Sequence, residues 1–437
     1  MGKRSPYLAA VLVAVVFFTG LFSGVWSGRA APGSEPSPYG NLERFARVLT
    51  TIEKDFVEPF EEERLIESAI RGMVSDLDAH SRWMTPTEYR RLIDDTQGEY
   101  EGIGIEVRNI DSGILITRVI PNSPATVAGL KRSDIIIAID AISVIDLPIP
   151  EVSRALKGPR GSSVELTVQR ATVTEPLLIS TKRDKVIIPA VESHALPNGI
   201  AYIKLIQFQR GAAEEMTADI KNLFEQGTDR GLILDLRNNP GGLLEEAIAV
   251  ADLFFDDGLI VTTRSRVEGE QTYRATASGL HADLPVAVLV NGMSASAAEI
   301  VASALQDRAR GKVLGTQTYG KGSVQTIYEN SDQSALKLTI GRYYTPSGEP
   351  VAAKHGRLPD IIIEENTGHS MTEALRKNIE ELASDKPQKM KEMLDQLEHL
   401  SETPTNSQVP KVYSDDFSDR LKQDSQLKAA HEYLLKH

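Results

Sequence analysis

The stretch that most constrains the fold is PVAVLVNGMSASAAEIVASALQDRARGKVLGTQTYGKGSVQ, residues 285–325. Pro285–Asn291 is a continuous apolar run, the pattern of a strand buried on both faces. It stops at Asn291-Gly292, and from Ala297 to Arg308 the apolar residues Ile300, Val301, Ala304 and Leu305 recur at helical spacing. Lys312–Tyr319 reads as a second strand. A helix of about twelve residues runs roughly 18 Å outward at ~1.5 Å per residue, and the strand after it returns roughly 25 Å at ~3.3 Å per residue. A strand–helix–strand crossover makes its two strands parallel, so both carboxyl ends lie on one edge of the sheet. Ser296, at the turn from strand to helix, and Lys321, just past the second strand, are expected to share that edge. Open α/β sheets place their sites there.

A third junction lies upstream. Gly199–Phe208 and Arg230–Leu236 read as strands flanking an amphipathic helix around Glu214–Glu225, and Leu243–Phe255 has helical spacing. Between them Pro240-Gly241-Gly242 allows a tight turn whose exposed amides suit a developing negative charge. A serine hydroxyl needs a base before it attacks a carbonyl. No histidine falls within the three junction loops, and His281 and His355 flank none of the motifs. Lys321 is then the candidate base. Its pKa, ordinarily near 10.4, must fall by about 3 units, a shift that burial can supply. Its neighbours in sequence are glycine, Tyr319 and Val324, with no adjacent carboxylate, and Gln325 is spaced to orient the amine without adding charge. The amide of Ala297 at the helix N-terminus and that of Gly242, preferred to Gly241, are candidate oxyanion donors. Each motif alone has an ordinary structural reading: a helix cap, a surface charge, a turn. All three fall at carboxyl ends of strands, and that favours chemistry.

Around this core, 437 residues imply more than one domain. The net charge of −13 argues against nucleic acid as a partner. With no cysteine, disulfides, Cys-based zinc sites and a thiol nucleophile are excluded. No metal cluster or phosphate-loop motif is present, so no cofactor and no metal are expected. Tyr7–Trp26 is twenty residues without a charge, long enough to cross a bilayer, and Lys3 and Arg4 precede it. The positive-inside rule puts the amino terminus in the cytoplasm and the rest outside. A signal peptide cut near Gly28 or Ala30 is the other reading, and either leaves the working part extracytoplasmic. The expected divisions are a membrane anchor or signal segment at 1–30, a linker at 31–40 and a helical region at 41–97. A β-rich segment at 98–185, an α/β core at 186–365 and a helical tail at 366–437 follow. In the tail, Leu375–Leu382 and Met390–Leu397 mark two amphipathic helices, and a short helix is expected near Leu421–Leu435. His80, alone in the helical region, reads as structural.

Within 98–185, GIGIEV, AGLKRSDIIIAIDAISV and LKGPRGSSVELTVQR resemble a PDZ domain. Gly102, Ile103, Gly104 and Ile105 match its carboxylate-binding loop, where backbone amides face a guest carboxylate and the strand edge pairs with an extended peptide. Ser133 and Ala141 stand where such segments usually have glycine. LDLRNNPGGLL, NGMSASAAEI, YGKGSVQT and TIGRYYTPSGEP follow in that order and, with helical SRWMTPTEY at 81–89, resemble the carboxyl-terminal processing (tail-specific) peptidase family. The likeness runs from about residue 40 to 365. Ala298 stands where serine is frequent, and VAAKHGRLPD departs from the usual glycine-rich approach to Pro-Asp.

The resemblance implies an α+β multidomain protein, with a crotonase-like α/β protease core, an inserted PDZ domain and helical terminal regions. It implies a Ser–Lys dyad of Ser296, not Ser294, and Lys321, supported by Gln325, with Gly242 and Ala297 as oxyanion amides. It further implies an extracytoplasmic serine endopeptidase, periplasmic or on the cell-envelope side, anchored to the cytoplasmic (inner) membrane or secreted after signal cleavage. Its protein or peptide substrates are held by their carboxyl termini. Such proteins form homo-oligomers, and some need an adaptor protein. A PDZ adaptor with a dead core is disfavoured by the complete motif set. A trypsin-like protease with PDZ domains would need a His before an Asp before Gly-x-Ser-Gly, and an all-β body. A crotonase-type acyl-CoA enzyme would not explain the PDZ-like insert.

Overall fold

A side-chain acceptor ends the helical pattern of the amino-terminal region earlier than its periodicity implies. The computed structural model describes residues 38–276, 284–351, 356–364 and 417–436. It divides into two compact units, Met1–Met73 and Val74–His437. The first holds α1 (Pro38–Asp55) and the start of α2 (Glu62–Ser75). Past α2, the Asp78 carboxylate accepts the backbone N–H groups of His80 (2.7 Å) and Ser81 (2.8 Å), the local turn that competes with a helix. Arg82–Met84 is therefore β1, not helix, and Met84 is fully buried. Thr85 then opens α3 (Pro86–Gln97) with the capping box read from its spacing to Glu88. The Tyr7–Trp26 segment and the helices expected between Leu375 and Leu397 lie outside the described residues. Among the described residues no helix is long and apolar enough to cross a membrane.

The β-rich segment forms β2 (Glu99–Gly102), β3 (Ile105–Ile110), β4 (Gly113–Val119), α4 (Pro124–Val127), β5 (Ile135–Ile139), β6 (Ile142–Ser143), α5 (Ile149–Leu156), β7 (Ser163–Gln169), β8 (Leu177–Lys182) and β9 (Asp184–Ile187). Its sheet runs β3-β4-β5-β7-β8, which leaves β3 as an edge strand. Ile114, Ile116, Ile136, Val152 and Leu166 fill a core of its own. Ser133 (φ 70°) and Ala141 (φ 63°) occupy left-handed turn positions. A side chain there costs roughly 1–2 kcal/mol, partly offset by the extra unfolded-state freedom of glycine. Ser133→Gly is expected to stabilise this segment by about 0.5–1 kcal/mol. A urea midpoint that falls would refute it.

The core continues through β10 (Val191–Leu196), β11 (Ile200–Leu205), α6 (Ala212–Glu225), β12 (Gly231–Asp235), α7 (Leu244–Asp252), β13 (Leu259–Ser265), β14 (Gly269–Arg274), β15 (Val286–Val290), α8 (Ala297–Asp307), β16 (Lys312–Gly315), β17 (Ser323–Glu329), β18 (Ala335–Tyr344), β19 (Ile361–Ile362), α9 (Phe417–Gln423) and α10 (Ser425–Leu434). Six strands form a sheet in the order β10-β11-β12-β15-β16-β19, antiparallel only at β10. Alternate residues enter two cores: Ala201, Ile203, Leu232, Leu234, Val286 and Val288 meet the crossover helices, while Ile200, Tyr202, Ile233, Ala287 and Leu289 meet α10. Burial on both faces is what makes these strands uniformly apolar. A second, antiparallel sheet runs β1-β18-β13-β14, with β17 also on β18.

The crossover β15–α8–β16 is parallel, as the spacing predicts. The returning strand is shorter than Lys312–Tyr319, however. At Gly315 (φ 127°) an added Cβ would lie 2.0 Å from the Val290 carbonyl oxygen, so the backbone approaches its neighbour there as only glycine can. The chain then leaves the sheet, and Lys321 sits on a loop leading to β17 in the second sheet.

Candidate active site

The carboxyl ends of β12, β15 and β16 adjoin, and their loops are stitched together by side-chain amides. Asn238 N donates to Asn291 Oδ1 (3.0 Å), and Asn291 Nδ2 returns a bond to Asn238 Oδ1 (3.0 Å). Asn239 Nδ2 donates to the Leu205 carbonyl (2.7 Å), while the Asn239 carbonyl receives Ala295 N (3.0 Å). The turn after β12 is thereby fixed against the one bearing Ser296. Gly241 lies so close that a Cβ on it would meet Ser296 Cβ at 2.8 Å and Ala297 N at 3.0 Å.

Ser296 has φ 55° and ψ −114°, a strained conformation for a residue with a Cβ. Such strain costs about 1–3 kcal/mol and persists only where surrounding contacts enforce it. Ser294 is different in kind: its hydroxyl donates to the Leu236 carbonyl (2.8 Å) and accepts Asn291 N (2.9 Å), a wholly structural role. Gly241 N is taken by Asn239 Oδ1 (2.8 Å). Phe208 N and O hold the Gly241 carbonyl and Leu243 N on either side of Gly242, and among the described residues Gly242 N and Ala297 N have no hydrogen-bond partner.

Sequence reading missed the residue that joins the two halves. Glu299, on the first turn of α8 and fully buried, accepts Ser296 N (2.9 Å) and Lys321 N (2.8 Å) on one oxygen, Oε2. The two backbones are thus no farther apart than the sum of those distances. Its other oxygen accepts Gly320 N (2.7 Å) and the Thr318 hydroxyl. Burial raises the Glu299 pKa, and these four donors pull against it. The signal was available: Ser-x-x-Glu at 296–299 has capping-box spacing. Lys321 therefore does have a carboxylate beside it, supplied by the neighbouring helix and invisible in its local sequence.

Burial lowers the Lys321 pKa, the charge of Arg82 lowers it further, and Glu299 opposes. Arg82 on β1 is directly opposite Lys337 on β18, and burial, with Lys321 and Arg82, brings Lys337 down to about 8. A cationic cluster thus disfavours a charged Lys321. Gln325 is placed differently from the expectation: its Nε2 donates to the His80 carbonyl (2.8 Å), fastening the 78–82 segment to β17. His80 is nearer the site than its isolation in sequence implied. Burial lowers its pKa first, and the Lys321 charge adds to the shift.

In the β-rich segment, Gly102 ends β2, Ile103 and Gly104 form the loop, and Ile105 opens β3. The Ile103 carbonyl receives Ala125 N (2.8 Å) and that of Gly104 receives Ile120 N (3.0 Å). Tyr100 packs against this loop under the Lys157 ammonium, 4.6 Å from the ring centroid. Burial pushes its phenol up to about 12.

These features have counterparts in known proteins. The pattern of PDZ domains matches residues 115–170, and that of peptidase family S41 matches residues 199–363. A carboxy-terminal-processing protease of Bartonella bacilliformis is 38% identical over 360 residues, covering 80% of this chain and 82% of its own length. The chain belongs to peptidase family S41 and is a serine-type peptidase carrying a PDZ domain. The carboxy-terminal processing protease CtpA of Bacillus subtilis is 33% identical over 367 residues, 83% of this chain and 78% of that protein. Among solved structures, a photosystem II D1 C-terminal processing protease is 30% identical, covering 74% of this chain and 88% of its own, with a TM-score of 0.44.

Proposed function

We propose that this chain is an extracytoplasmic endopeptidase that captures the carboxyl-terminal tail of a protein through its PDZ domain and cleaves it with a Ser296–Lys321 dyad. What carries the reading is the single Glu299 oxygen shared by the backbones of Ser296 and Lys321, at a strained turn beside a half-buried, depressed lysine. Neutral Lys321 takes the Ser296 proton as the oxygen attacks the scissile carbonyl. The oxyanion is received by the N–H groups of Gly242 and Ala297. Lys321 returns the proton to the leaving amine, and the acyl-enzyme is hydrolysed by water that Lys321 deprotonates. Gln325 acts at one remove, by holding the segment that carries Arg82. No step needs a metal or cofactor.

The core is assigned to the crotonase-like class, with the divisions at 31–40, 41–97, 98–185, 186–365 and 366–437 and helical regions at both ends. Residues 1–30 anchor the chain or direct its secretion. Assembly into homo-oligomers, with an adaptor for some substrates, belongs to the same proposal. The edge strand β3 supports peptide addition, and the loop at Gly102–Ile105 supports carboxylate capture.

The test compares one peptide with a free carboxyl terminus and its terminal amide. A charge-assisted hydrogen bond contributes about 1.5–3 kcal/mol, so the amide is expected to be cleaved about 10- to 100-fold less efficiently. Deleting residues 98–185 is expected to remove that preference. Equal cleavage of acid and amide would refute tail recognition.

A further inference from the structure

Residues 417–436 do more than cover the sheet. Leu427, Ala430 and Leu434 of α10 fill the core beneath β11, β12 and β15, as an amphipathic helix should. However, Asp424, between α9 and α10, and Gln426, in the first turn of α10, are buried polar groups aimed at one residue. Asp424 Oδ1 caps α10 by accepting Gln426 N (3.1 Å) and Leu427 N (3.0 Å), and it also accepts Arg237 Nη1 (2.9 Å). Asp424 Oδ2 pairs with Arg237 Nη2 (2.8 Å). Gln426 Oε1 accepts Arg237 Nη1 (3.1 Å), while its Nε2 donates to the Ile363 carbonyl (2.7 Å).

Arg237 is buried, and its other edge is held by Asp235: Nε to Oδ1 (2.9 Å) and Nη2 to Oδ2 (2.6 Å). Tyr202 donates its hydroxyl to Asp235 Oδ2 (2.8 Å). One guanidinium is therefore shared between the end of β12 and a helix pair 187 positions later in sequence. The residue immediately after Arg237 begins the Asn238–Gly242 turn, which presses on Ser296.

We propose that Asp424 and Gln426 are positioning residues for the oxyanion turn, acting through Arg237 from beneath the sheet. This rests on the Ser–Lys reading above. A planar guanidinium held on both edges by carboxylates fixes the direction in which the chain enters the turn. With Asp424 gone, Arg237 keeps Asp235 and the Gln426 Oε1 acceptor but loses both Asp424 oxygens that set its other edge, and Gly242 N shifts relative to Ala297 N. Misplacement of catalytic groups by a fraction of an ångström to 1 Å is enough to cost rate without weakening substrate binding.

The experiment uses the whole chain, a tailed peptide, and a peptide aldehyde as transition-state mimic. Asp424→Asn is expected to lower kcat by about 10- to 100-fold with KM little changed, and to weaken the aldehyde in parallel with kcat/KM. Asp424→Glu is expected to recover part of both. Leu427→Ala, which only opens the packed face, is expected to lower the melting temperature while kcat of the folded enzyme stays as in the unaltered protein. If Asp424→Asn lowers the melting temperature alone, leaving kcat and aldehyde affinity unchanged, the residue is structural and the proposal is overturned. If Ser296→Ala cleaves as well as the unaltered enzyme, the underlying reading fails, and this one with it.

Discussion

Lys321→Met is expected to lower kcat/KM by about 10²–10⁴-fold, the usual contribution of a positioned general base. Ser296→Ala is expected to lose on the order of 10⁶-fold, and the double variant no more than that, since the two act as one unit. The reason lies in the proton. The Ser296 hydroxyl attacks only as its proton leaves, and Lys321 accepts it only when neutral. Activity should therefore rise with pH through the Lys321 pKa, and the acid limb of kcat/KM reports that pKa in the free enzyme. Burial and the Arg82 charge lower it, so the limb lies below the ordinary lysine range. Arg82→Gln removes a charge that disfavours the ammonium, which raises the Lys321 pKa and moves the limb to higher pH. Turnover by Lys321→Met at the unaltered rate would hand the proton to another group, and His80, which senses the Lys321 charge, would be the one to replace next.

The contrast between what could be read in advance and what could not follows from range. β15 and α8 are legible because their patterns are local: a strand buried on both faces is an unbroken apolar run, and its helix repeats every three or four residues. Both turn glycines and Ser296 at the junction follow from the same local rules. β1 was not legible, because three residues have no periodicity and their partner β18 lies about 250 positions away. The β13–β14 hairpin escaped for a related reason: exposed Gly269–Arg274 carries little apolar alternation. Gln325 was read against its sequence neighbour Lys321, whereas the docking of 78–82 onto β17 decides its partner. The surroundings of Lys321 are illegible locally for the same reason, since their carboxylate and both cations come from other elements. Ser133 and Ala141 show the converse. The PDZ resemblance puts glycine at both positions, and their left-handed backbone fits that expectation although neither residue is glycine.

Glu299→Gln should be the most informative substitution outside the dyad. One Glu299 oxygen serves Ser296 N and Lys321 N, the other Gly320 N and the Thr318 hydroxyl, so the amide nitrogen of glutamine faces either two backbone donors or one backbone donor and a hydroxyl that can turn to accept from it. At least one backbone hydrogen bond of the clamp is lost in either orientation, and the turn relaxes from its strained conformation. A fall in plateau kcat of about 10²-fold with KM nearly constant is expected, the scale of a 1 Å misplacement. Glu299→Ala leaves Ser296 N and the Thr318 hydroxyl buried, and Gly320 N and Lys321 N part-buried, without their acceptor; at about 1–3 kcal/mol for each buried donor it is expected to reduce folding stability by at least about 2 kcal/mol in urea titration. The charge gives a second signature. Glu299 holds the Lys321 pKa up, so Glu299→Gln should move the acid limb of kcat/KM to lower pH, opposite to Arg82→Gln, while its plateau drops. Loss of packing alone lowers the plateau without displacing the limb. An unchanged plateau would mean that the clamp is dispensable, and a limb displaced upward would mean that the carboxylate is not the counter-charge of the base.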